Sequence, residues 1–83
     1  MNATEKLHSA IFRALDRLGG KTRWVKGWAL AVEVLSDPRL PKYEDRVALA
    51  HMRYLALTGK RRWKWRIISK PGPGGGYRLW RAE

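Results

Sequence analysis

Between positions 60 and 66 the chain reads KRRWKWR, five cations interleaved with two tryptophans. Guanidinium and ammonium groups at that density suit a row of phosphate oxygens, and an arginine fork also matches guanine O6 and N7. If the segment is one strand, alternation sets Arg62, Lys64 and Arg66 on a common face, roughly 6–7 Å apart. Trp63, Trp65 and Ile67 then point the other way, and Lys60 and Arg61 lead in. A solvated face that keeps a hairpin from aggregating is the plain alternative, but such shielding rarely needs so much charge. Lys70 and Arg78 flank the Pro/Gly run 71–76, whose glycines let backbone approach a phosphate closely. Upstream, Arg39, Lys42, Arg46 and Arg53 are candidates for contact from a helix and its lead-in. The eleven named cations from Arg39 to Arg78 form the candidate binding set.

Other chemistry finds little material. There is no cysteine, so no disulfide or thiolate metal site exists. His8 and His51 are far apart in sequence and lack metal-ligand spacing, and His51 is expected half-exposed, in reach of a phosphate. No paired carboxylate and no nucleophile with a base can be picked out. The run GPGGG joins two strands instead of opening a helix, so it is not a nucleotide loop. The chain is read as a non-enzyme that needs neither cofactor nor metal. Trp63 and Trp65, as aromatics among cations, could stack unpaired bases. Their more ordinary role is to cover the helices, and Trp28 and Trp80 are assigned to the core.

The whole chain agrees with a polyanion partner. Its 83 residues carry a net charge of +11, and eleven of the eighteen cations are arginine. Residues 1–38 hold six Lys/Arg against four Asp/Glu, a net +2, while residues 39–83 hold twelve against three, a net +9. A field of this sign attracts polyanions and speeds their association. Charges run through the N-terminal segment and the apolar run 27–32 has only six residues. Neither a signal peptide nor a membrane span is read there. A soluble, cytoplasmic, nucleoid-associated protein of one domain, residues 1–83, is the expectation.

The elements that must position these residues follow from periodicity. A first helix, capped at Asn2 or Thr4, repeats Leu7, Ile11, Leu15 and Leu18 with Ala14, and ends at Gly19-Gly20. A short β-leaning piece around Trp24 and Val25 is broken by Gly27. A second helix over 28–36 is almost wholly apolar and stops at Asp37-Pro38. A third spans about 43–57, with Glu44 and Asp45 in its first turn and Gly59 at its end. Its core face is Ala48, Leu49, Met52, Leu55 and Ala56. Beyond Gly59 the period becomes two, and Tyr77, Leu79 and Arg81 alternate with Arg78 and Trp80, so two strands close a hairpin around the Pro/Gly loop. The fold class is α+β, three helices and then a hairpin. Leu7, Ile11, Leu15, Leu30, Met52, Leu55 and Ile67 are the expected core.

LALTGKRRWKWRIISKPGPGGGYRL resembles the end of the recognition helix, the strand, the wing and the last strand of winged helix-turn-helix domains. The likeness is to the family that includes the biotin-repressor DNA-binding domain. Leu55 precedes Gly59 by four, and Gly76-Tyr77-Arg78-Leu79 close the hairpin; response-regulator output domains finish on a similar phrase. The likeness covers residues 48–80. It departs from the family in the long turn SDPRLPK and in the basic, Trp-bearing strand. It implies a winged helix that binds double-stranded DNA, a small regulator or architectural factor of a prokaryote or mobile element, with homodimerisation open. Two alternatives stand beside it: an RNA or single-stranded DNA binder using the basic hairpin, and a protein-docking or inhibitor module.

Overall fold

Asn2 starts the first helix. Its side-chain oxygen accepts the Glu5 backbone N–H at 2.8 Å, and α1 runs Ala3–Arg17. The computed structural model describes residues 2–82. Gly27 does not break structure but opens α2, Gly27–Leu35, and α3 follows at Asp45–Thr58. Gly59 ends α3 in the left-handed region at φ +66°, its N–H donating to the Leu55 carbonyl, the usual use of glycine past a helix end.

The strands are β1 Arg61–Arg62, β2 Trp65–Lys70 and β3 Gly76–Arg81, in antiparallel order β1-β2-β3. Val25 bridges to Tyr77 on the free side of β3, each N–H donating to the other's carbonyl at 2.8 Å. Three helices followed by this sheet make an α+β arrangement of the kind a winged helix has.

All seven expected core residues are fully enclosed, joined by Val34, Ala48, Ala10 and Leu79. They lie at helical spacing on α1, α2 and α3 and on the inward positions of β2 and β3, so one core joins the helices to the inner face of the sheet. On α3, Leu49 departs from its assignment: it is 38% exposed. Ala48, Met52 and Leu55 fill the narrow stripe that meets the core, and Leu49 is turned toward the edge of that stripe.

The basic stretch is not one strand. Arg61 pairs with Arg66 and Arg62 with Trp65, so the chain folds back through Trp63 and Lys64 in a two-residue turn. Trp63 has φ +60° and Lys64 does not share the positive sign. That is the sign pattern of a II′ turn, where glycine is the usual first residue. A bulky residue with positive φ is a backbone outlier.

Candidate nucleic-acid interface

The hairpin turn redistributes the cations. Ile67 and Leu79 face the core and oppose each other, so Arg66 and Ile68 on β2, with Arg78 and Trp80 on β3, point outward. Arg61, opposite Arg66, shares that outer face, whereas Arg62 lies on the inner side with Trp65. The expected row of Arg62, Lys64 and Arg66 is therefore not formed. Strand alternation holds only while the strand continues, and the turn at 63–64 reverses the chain.

Three surfaces now divide ten of the eleven candidates, and Lys64 stands apart, exposed in the turn at 63–64. Arg61, Arg66, Arg78 and Lys70 belong to the open side of the sheet. Arg53 and Arg46 are exposed on α3, with Lys42 in its lead-in. Arg46 pairs at 2.7 Å with Glu44, both largely exposed, a contact too weak to withhold the guanidinium from another anion. Arg39, Lys60 and Arg62 gather instead along α1.

That α1 group is held by local chemistry. Arg39 forks onto Asp37 through Nε and Nη2, both at 3.1 Å, and its backbone N–H adds a third bond at 2.9 Å. Those bonds hold the Asp37 carboxyl down to about 2. Arg39 is thus occupied, not free to read a base. Arg13 donates to the buried Ser9 hydroxyl at 2.8 Å. Burial first, and then Arg39 and Arg62, lower its pKa, so the three guanidinium groups share one neighbourhood. Lys60 faces His8.

The two histidines meet in space. His8 Nε2 and His51 Nδ1 are 2.9 Å apart, and Lys60 Nζ lies 3.5 Å from His8 Nδ1. An ammonium can only donate, so His8 Nδ1 accepts and its Nε2–H donates to His51. His51 is therefore committed to α1 and not to a phosphate. Among the described residues no group of three or more His, Cys, Asp or Glu could hold a metal.

The tryptophans separate too. Trp63, expected to cover the helices, is 87% exposed at the turn tip, and Trp28, expected in the core, is 72% exposed. Trp80, also expected there, is 47% exposed because β3 alternation turns it outward opposite Arg66. Trp65 packs partly against the core with Lys21 Nζ 4.7 Å from its ring centroid. The strand register sorts Trp63, Trp65 and Trp80, whereas Trp28 is sorted by the way α2 packs.

The Pro/Gly loop is a folded knot. Gly75 N–H donates to Gly72 O at 3.0 Å, and Gly72 has φ +91°. A Cβ on Gly75 would overlap the Lys70 carbonyl, and one on Gly76 would overlap that of Val25. Lys26, at the head of α2, donates to the Pro73 carbonyl and ties the loop down. A Cβ on Gly27 would lie 3.4 Å from the Tyr77 ring and 3.8 Å from Leu49. The foot of the loop and the middle of α3 therefore meet beside the start of α2. Among the described residues no helix is long and apolar enough to cross a membrane. Comparison of the chain with protein-family models, with curated proteins and with solved structures finds no match.

Proposed function

We propose that this protein binds double-stranded DNA, without cofactor, through α3 and the Pro/Gly loop, as a small regulator or architectural factor. The observation that carries the reading is that Leu49 and Tyr77 both lie within 4 Å of the Cβ position of Gly27. It sets the exposed middle of α3 and the foot of the loop on one side of the molecule. Arg46 and Arg53 would enter the major groove, where an arginine fork fits guanine and an exposed apolar residue such as Leu49 fits a thymine methyl. Lys42 and Lys26 would hold phosphates on either side. Charge supports the same reading: no described ion pair involves any residue from 47 to 80.

Fluorescence anisotropy with a labelled duplex tests it. Binding is expected in the micromolar range or better, with a log–log salt slope steeper than about −3, and Arg53→Ala should flatten that slope by about one. A shallower slope in the parent would defeat the reading.

A second reading has its own observation. Trp28 and Val32, one turn apart on α2, are 72% and 62% exposed. Such an apolar strip suits a protein partner, and binding through it would depend little on salt.

A further inference from the structure

The outward face of the sheet holds a second array that the duplex reading does not use. Arg61, Arg66 and Trp80 stand side by side across the three strands, fixed by the pairs Arg61↔Arg66 and Arg66↔Trp80. One step along lie Ile68 and Arg78, opposite each other, and then Lys70. Val25 is buried and bridges to Tyr77, so alternation turns Trp24 to this same outer face. The Lys70 ammonium, 5.8 Å from the Trp24 ring centroid, bears that out, and Arg78 lies 5.7 Å from the Trp80 ring. Two aromatic rings and four cations thus alternate over one open sheet face.

Two features are unfavourable unless something binds there. Like charges directly opposite on a sheet face repel, yet Arg61 and Arg66 are so placed with no carboxylate among the strands. A half-exposed tryptophan on a strand also leaves apolar area in water that a planar ligand would cover. A ligand that relieves both must bring anions at strand spacing and flat apolar rings between them. An acidic peptide brings the first and not the second. A run of unpaired nucleotides brings both.

We propose that this face is a binding site for single-stranded nucleic acid, distinct from the duplex site. Trp80 and Trp24 stack bases, while Arg61, Arg66, Arg78 and Lys70 hold the phosphates between them. Base stacking on aromatics is tolerant of sequence, so the site takes strands by shape and charge and not by base identity.

The test uses the full chain with labelled oligo-dT and oligo-rU of about twelve nucleotides, a length within the usual site size, and the labelled duplex beside them. Trp80→Ala is expected to weaken single-strand binding about tenfold. Arg61→Ala with Arg66→Ala should flatten the single-strand salt slope by about 1.4, at roughly 0.7 per phosphate contact. This pair removes a like-charge repulsion, so it folds even if Trp80→Ala does not. Arg53→Ala should weaken the duplex alone, which keeps failure here distinct from failure of the duplex reading. Binding of either oligonucleotide supports the site, and the tighter one identifies the polymer. An unchanged single-strand affinity in the folded Trp80 variant, or an unchanged slope in the arginine pair, would overturn it. So would an equal loss of duplex and single strand in Arg53→Ala, which would mean one shared surface.

Discussion

Leu55 and His8 show two ways in which single side chains hold α3 to the rest. Leu55 is wholly enclosed in the core. Truncation removes buried methyl groups and leaves a cavity, so Leu55→Ala should cost about 2–5 kcal/mol, much of the stability of a domain this small. Chemical denaturation followed by circular dichroism reads that loss directly. His8 works through hydrogen bonds. It is nearly buried between α1 and α3, stacks on Tyr54 with centroids 5.8 Å apart, and donates to His51. Burial first, then Lys60 and His51, lower its pKa from 6.5. The folded state therefore binds the proton less readily than the unfolded chain does. The resulting stabilisation is complete above pH 6.5 and is lost as pH falls through the lowered folded value. Melting temperature should decline on acidification from 6.5 toward about 5, where histidine is the group that titrates. His8→Gln should flatten that decline; an equal decline in the variant would assign it elsewhere.

At the scale of the element, the Pro/Gly loop is specified glycine by glycine. Gly75 and Gly76 lie against the carbonyls of Lys70 and Val25, and Gly76 also has φ +139°. A methyl group at either position must push backbone aside. Gly74 has nothing within 4 Å and no positive φ. Gly75→Ala and Gly76→Ala should each lose about 1–3 kcal/mol. Gly74→Ala should hold or gain about 0.4–1 kcal/mol, because alanine narrows the unfolded ensemble. Urea titration of the three variants separates a packed loop from a slack one, since a slack loop would treat all three alike. The β1–β2 turn is the opposite case. Trp63 occupies a conformation that glycine prefers, and nothing in the core requires its ring.

The whole molecule is governed by charge at short range. Its radius of gyration is 11.6 Å, close to the screening length of about 10 Å at 0.1 M salt. Each described cation therefore feels chiefly its near neighbours, and those on the far side of a molecule 29 Å long are largely screened. The four described ion pairs all fall between Asp16 and Arg46; three are largely exposed and contribute little, and only Arg39–Asp37 has a covered carboxylate. Repulsion across the sheet prevails. Thermal stability should accordingly rise as sodium chloride increases from about 0.05 to 0.5 M, because screening relieves self-repulsion. A falling melting temperature would mean that attraction within the ion pairs outweighs it.

Periodicity in the sequence determined what becomes interior. Leucines at three- and four-residue spacing on α1 and α3, and Ile67 at an alternating position, could be buried in only one way once the helices and strand formed. The helix ends at Asn2 and Gly59 were equally local, since each is set by hydrogen bonds within a single turn. Tertiary structure decided the surfaces. Whether 60–66 was one strand or two turned on pairing between Arg61–Arg62 and Trp65–Arg66, which reverses the chain and sends Arg61 and Arg62 to opposite faces. Trp80 left the core because the β2–β3 register turned it outward. His8 met His51 only because α1 packs on α3, joining positions 43 residues apart. Local spacing tells a side chain whether to be buried. Which exposed side chains become neighbours depends on contacts between distant segments, and no local pattern encodes those.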